Sequence, residues 1–166
     1  NKKNSVTMET LTSLDYAKLI QFAAVRNHMT LLNRTQINKI LFYVYGVYLA
    51  EVGESLFNDD TPKAWPYGPV FPIVNKKIDP EQVIHDFSQE KIDAYRANKK
   101  AMDIVVKAVD KLHNLSAYKL TQWSHQKGSP WYKTLFGDGD IMPDDQIKWN
   151  QEIPKKYIQD YFKNNK

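Results

Sequence analysis

An apolar stripe between Ile37 and Val52 constrains this chain more than any other feature. Ile37, Ile40, Leu41, Val44, Tyr45, Tyr48, Leu49 and Val52 recur at intervals of three and four residues. That spacing puts them on one face of an α-helix and rules out a strand, whose faces alternate every second residue. Asn33 or Thr35 offers an N-terminal cap and Gly53 a C-terminal stop. A helix with so wide an apolar face is expected to run through the middle of a core. Gly46 inside it costs about 1 kcal/mol relative to Ala, so another backbone is expected to approach closely there.

The remaining elements are expected to pack around that helix. Leu14, Ala17, Ile20 and Ala24 mark a first helix over 13–29, with Ser13 as its cap. Asp79, Pro80 and Gln82 form a helix opening of cap, N1 proline and capping-box residue, ahead of an apolar face of Val83, Ile84 and Phe87. Ala101, Met102, Val105, Val106, Val109 and Leu112 place a helix over about 94–113. Ser116 caps a shorter one that Gly128 ends, with Leu115 and Leu120 set for a hydrophobic staple. Ser129 and Pro130 open one or two turns through Trp131, Tyr132, Leu135 and Phe136 to Gly137. Tyr157, Ile158, Tyr161 and Phe162 mark a last helix over 155–163.

Between 55 and 72 the pattern changes. Pro62, Pro66, Pro69 and Pro72 each remove a backbone donor, which limits this stretch, rich in Pro, Trp and Gly, to at most a small β-hairpin near Lys63–Trp65. The expected fold is therefore mainly α. It is a single compact helical domain of about six helices spanning 8–166, with 1–7 a disordered N-terminal tail or a remnant foreign to the natural chain.

Length and composition narrow the function classes. A chain of 166 residues that is 42% hydrophobic is long enough for one substantial core. It has no cysteine, which excludes disulfides, thiolate zinc sites, iron–sulfur clusters and a cysteine nucleophile together. The longest apolar run, around Ile40–Ala50, falls short of the roughly 20 residues a membrane span needs, and no signal peptide is recognisable. A cytoplasmic protein with no membrane partner is expected. The net charge of +4 sits in the ends: Lys2, Lys3, Lys155, Lys156, Lys163 and Lys166 against Asp160 leave a body of 17 basic and 18 acidic residues. That distribution argues against nucleic acid as the partner.

Nothing in the spacing carries catalysis. His28, His85, His113 and His125 include no pair at the i, i+4 interval that sets two metal ligands on one helix face. The loop from Asp138 through Asp140 to Asp144 and Asp145 lacks the ligand alternation and terminal Glu of a calcium loop and is broken by Pro143. There is no glycine-rich phosphate cradle and no nucleophile elbow; Ser129 is better read as a helix cap. His125, in the expected last turn before Gly128, is placed to donate to free helix carbonyls. No catalytic residue, metal ligand or cofactor is assigned. The conspicuous motifs are aromatic: Trp65-Pro66-Tyr67-Gly68-Pro69, and Trp123 through His125 and Gly128 to Pro130-Trp131. Such rings pack into a core or serve as interface anchors.

Those motifs carry a resemblance. Gln36, Lys39, Ile40, Leu41, Tyr43, Gly46, Tyr48, Leu49 and Ala50, then Leu56-Phe57, Trp65, Tyr67-Gly68-Pro69-Val70, and Leu115-Ser116, Leu120, His125, Gly128 and Pro130-Trp131 together resemble the SocA-like, or Panacea, antitoxin domain, also described as a phage-associated protein family. Pro66 departs from the family pattern, in which a Lys or another polar residue is usual. The resemblance implies a helical bacterial or phage protein that neutralises a cognate toxin by direct contact, with a ClpXP-type protease as a further partner where such a protein acts as an adaptor. The shared residues, Lys39, Tyr43, Gly46, Trp65, Tyr67, Gly68, Pro69, His125, Gly128, Pro130 and Trp131, either maintain the fold or touch the partner. Exposed positions outside the motifs and the C-terminal segment are expected to choose the toxin. Two alternatives stand beside it: a phage-encoded protein with an anti-defence or enzymatic role using Asp138, Asp140, His125 or Ser129, and a nucleic-acid-binding regulator using the basic ends.

Overall fold

Capping chemistry starts the first two helices of the computed structural model, which describes residues 10–82 and 85–165. Helix α1 spans Ser13–His28 and helix α2 spans Arg34–Val52. The cap of α1 is Thr12 rather than Ser13: Thr12 and Asp15 form a reciprocal capping box. Ser13, one residue on, is fully buried and donates through both its backbone N–H and its hydroxyl to Asp59. Helix α2 has the same device in Asn33 and Gln36 and ends at Gly53, whose φ of 84° needs a glycine.

Beyond Gly53 the chain forms the expected hairpin, β1 (Lys63–Trp65) and β2 (Gly68–Val70), paired antiparallel with Trp65 opposite Gly68. A short helix, α3 (Pro72–Lys77), follows directly, because a proline at the first helical position needs no donor. The helix expected from Asp79 does not form at 79–82, where Pro80 and Glu81 make a turn instead; Val83 and Ile84 lie outside the described residues. Helix α4 (Gln89–Ala97) begins ten residues later, capped by Ser88. The helix read over 94–113 is two: Asn98 ends α4 and caps α5 (Lys99–Leu112) through a bond from Ala101 N–H.

Helices α6 (Ala117–Ser124) and α7 (Pro130–Phe136) start at Ser116 and Ser129 as expected. Helix α6 stops at Ser124, four residues before Gly128, which belongs to the loop. After α7 a two-residue strand, β3 (Gln151–Glu152), pairs with the free edge of β1, giving the order β2-β1-β3. Helix α8 (Lys155–Asn164) closes the chain.

The architecture is mainly α, with helices packed around α2 and one small sheet against its N-terminal half. Helix α2 touches α1, α5, α6, α8 and β2, which explains why twelve of its residues are buried. Ile37, Ile40, Leu41 and Tyr45 meet Val105 and Val109 of α5, Phe71 after the hairpin, and Ile158 and Phe162 of α8 in one cluster. The close approach at Gly46 comes from a side chain, the ring of Phe162, not from a backbone. None of the described helices is long and apolar enough to cross a membrane.

Candidate functional site

The residues carrying the sequence motifs converge on the hairpin. Asn38 and Lys39, two polar residues inside the apolar stripe of α2, grip the two sides of β2. The Asn38 side chain accepts from Phe71 N–H at 3.0 Å, and Lys39 Nζ donates to the Pro69 carbonyl at 3.2 Å. Lys39 is only 1% exposed. Loss of water disfavours its charge and lowers its pKa to about 8.

Gly68 is where these elements meet. Its φ of 109° is open to glycine alone in practice, and a Cβ there would lie 2.5 Å from Ser124 Oγ and 2.7 Å from Lys39 Cε. Pro66 and Tyr67 form the turn itself and keep negative φ. The special conformation is thus moved one residue past the turn, to the point where α2 and α6 press on the hairpin.

On its other side the hairpin is clamped by α6, α7 and the strand-like segment before α8. The indole of Trp131, 3% exposed, donates to the Trp65 carbonyl at 2.7 Å, and the Trp65 indole donates to Asn150 Oδ1 at 2.7 Å. Asn150, itself at φ 67°, returns a backbone N–H to the Ala64 carbonyl. The His125 ring lies flat on Trp131, centroids 3.8 Å apart at 9°. Burial is the main cause lowering the His125 pKa, the Lys39 ammonium adds to it, and the Pro66 carbonyl opposes it. The charged form of the imidazole is thus disfavoured, and its Nε2 is buried. The expected donation from this ring to the end of α6 is not what is found: the backbone N–H of His125 reaches Thr121 and Gln122 instead.

Other sequence candidates fall into place around this clamp. Ser129 is buried, donates to the Ser124 carbonyl at 2.8 Å and accepts from Tyr132 N–H, the work of a cap. Pro130 is buried in the first turn of α7, and Gly128 is an exposed loop residue at φ 91°. Tyr43 packs near Trp123 and Phe162, with Lys111 over its ring. Asp138 and Asp140 are exposed, and Asp140 lies 3.8 Å from Lys127. The fold stacks His28 on His113 at 3.8 Å and sets His28 Nε2 2.6 Å from Asp110, a pairing that sequence spacing does not show. Among the described residues no group of three or more His, Asp or Glu side chains could hold a metal ion.

Two members of the clamp, Asn38 and Ser124, have no counterpart among the candidates read from sequence. Asn38 carried a signal, a polar residue flanked by Ile37 and Ile40, whereas Ser124 carried none. Of the aromatic motif side chains, Tyr67 alone projects fully to solvent, at 72% exposure. Its carbonyl is held by Thr121 Oγ1 of α6 at 3.4 Å. The Lys39 amine donates to the Pro69 carbonyl, and the His125 ring stacks on Trp131. The buried amine and the half-buried imidazole thus hold the hairpin in place, and an exposed aromatic tip is what the assembly offers outward.

A family model described as Antitoxin SocA-like, Panacea domain, matches residues 37–132, the stretch from the stripe of α2 through the hairpin to the start of α7. No curated protein and no solved structure matches the chain.

Proposed function

The chain belongs to the SocA-like antitoxin family through its Panacea domain, and from that membership we propose that it neutralises a cognate toxin by direct protein–protein contact, without catalysis. One observation carries the reading furthest. The polar motif residues Lys39 and His125 are turned inward to hold the hairpin, and the tip they hold presents Tyr67 at 72% exposure. A rigid scaffold with an aromatic tip suits recognition, because a fixed loop loses little entropy on binding. Action in the bacterial cytoplasm, and delivery of the bound toxin to a ClpXP-type protease, are extensions of the same proposal.

The test is coexpression with the product of the neighbouring gene in bacteria. The toxic product alone should arrest growth; with this chain, growth should return and the two proteins should copurify. Continued arrest with no copurification would sink the proposal. Growth rescue without a complex would move the function to another step, such as repression of toxin synthesis.

A further inference from the structure

Lys39 is buried without a counter-charge. It is 1% exposed, and among the described residues its amine has the Pro69 carbonyl as an acceptor and no carboxylate within ion-pair distance. A lysine is almost never buried so fully unless it is paired. Sequence explains the lack: residues 34–50 of α2, 61–78 around the hairpin and 111–137 around α6 and α7 contain no Asp or Glu. Glu51, the next acid along α2, is about 18 Å further up the helix axis. The titratable groups around the amine supply no carboxylate either. His125 faces it from the end of α6, and its charged form is disfavoured by burial and then by Lys39 itself. Tyr43, one turn on, packs near Trp123 and Phe162 beneath Lys111. Tyr118 and Lys119 of α6 and Tyr67 of the hairpin are exposed. Glu152 lies opposite Lys63, on the side of β1 away from β2.

The hairpin is held differently on its two sides. Strand β1 is clamped by Trp131 and Asn150, whereas β2 leans on α2 through the Lys39 amine and, just past the strand, through Asn38. The tie from Thr121 Oγ1 to the Tyr67 carbonyl at the tip is long, at 3.4 Å. Gly68 lies directly over the lysine, where a Cβ would be 2.7 Å from Lys39 Cε. A neutral amine is served by one good acceptor here. An ammonium carries three donors and a full charge that burial removes from solvent. The smallest movement that admits water to it is the lifting of β2 and the tip, since two three-residue strands have little packing of their own to hold them down.

We propose that Lys39 is a proton-operated latch on the hairpin: the neutral amine seats β2 and the Tyr67 tip on α2, and the ammonium releases them toward solvent. The consequence for binding rests on the antitoxin reading. Seated, the tip is the fixed element that suits recognition; released, it must be reordered first, so the partner's affinity falls with the seated fraction. The direction follows from the amine's values, about 8 in the seated hairpin against 10.5 in water. Opening takes up a proton between them. The opening equilibrium therefore rises about tenfold per pH unit as pH falls from 10.5 to 8, about 300-fold in all, and is level below 8.

The chain has no cysteine, so a single introduced thiol reports opening on the full-length protein. Val70→Cys places it in β2 and Val105→Cys in α5, both at buried positions. Each is alkylated with iodoacetamide from pH 8 to 10, and the rate is divided by that of the same chain in urea, which cancels thiol ionisation. The Val70→Cys ratio should exceed the Val105→Cys ratio about tenfold or more, because the hairpin opens without the core, and should rise about tenfold per unit as pH falls. Adding Lys39→Met should flatten that rise. Equal ratios at the two positions would overturn the latch, since the hairpin would then open only with the whole chain, and so would a rise that survives Lys39→Met. Should Lys39→Met fail to fold, the gap between the two thiols and the pH slope at Val70→Cys decide alone. Binding of the neighbouring gene product is then compared at pH 8 and 10, where the wild type should gain affinity relative to Lys39→Met. No binding at either pH sinks the antitoxin reading while the thiols still decide the latch; binding with the same pH dependence in both chains overturns the latch's role in recognition and leaves the antitoxin reading standing.

Discussion

The ring of Phe162 fills the space that a side chain on Gly46 would need. Glycine in mid-helix is there because α8 docks its aromatic ring on that spot, and both residues are buried. Gly46→Ala should therefore destabilise the protein by roughly 1–3 kcal/mol through overpacking, although alanine is the better helix former. Phe162→Ala should cost roughly 3–5 kcal/mol. In the double variant the new methyl group enters the vacated space, so the losses should fall short of additive by more than about 1 kcal/mol in a denaturant-melt cycle. Strict additivity would show that the two residues do not meet.

Trp131 is held both by its stack on His125 and by its bond to the Trp65 carbonyl. Trp131→Ala should cost roughly 3–5 kcal/mol by loss of a buried aromatic. Trp131→Phe keeps a ring over the imidazole but leaves the carbonyl without its indole donor, for a loss of about 1–3 kcal/mol. Equal melting of the two variants would remove the ring packing from the account, and a Trp131→Phe variant as stable as the wild type would remove the hydrogen bond. Trp65, only half-buried, should lose less as Ala than Trp131 does.

Gly68 meets two constraints that can be separated. Gly68→Ala should destabilise by at least about 1–3 kcal/mol from the backbone conformation alone. Removing the contacting hydroxyl by Ser124→Ala should recover part of the loss, but not the part due to φ. Complete recovery in the double variant would show that crowding, not conformation, selects glycine.

Lys39 makes a prediction about pH. Its folded pKa, lowered to about 8 by burial, lies below its ordinary value of 10.5, so the unfolded chain binds more protons between these values and stability rises with pH there. That contribution is fully present above 10.5 and is lost as pH falls through 8. It amounts to roughly 3 kcal/mol by the pKa difference. Tyr16, raised by burial to about 12, acts oppositely: its contribution is present below 10 and is lost as pH rises through 12. Urea unfolding should thus show stability climbing from pH 8 toward 10 and falling beyond it. In Lys39→Met the climb should vanish. A climb that survives the substitution would place its origin elsewhere.

Elements with strong local signals are legible in the sequence. The stripe of α2, its Asn33 cap and its Gly53 stop depend on residues close along the chain, as do the Ser116 and Ser129 caps. Local signals fail where tertiary contacts outweigh them. Asp79, Pro80 and Gln82 have the chemistry of a helix start, yet Gln21 of α1 takes the Pro80 carbonyl with its Nε2, and the chain turns there. Asn98 bonds to Tyr48 across the core, at the joint that splits one apolar period into two helices.

The candidate site divides in the same way. Residue identity alone determined that the motif holds no metal-ligand spacing and that Gly68 and Pro69 form part of a turn-rich segment, because these are properties of short stretches of chain. Which side of each residue faces inward was decided only by the fold. Lys39 reads as a surface lysine until the Pro69 carbonyl, brought from thirty residues away, makes its burial tolerable. Side-chain period and capping act over a few residues, whereas desolvation depends on which distant segments share a surface, and that is known only once the chain has packed.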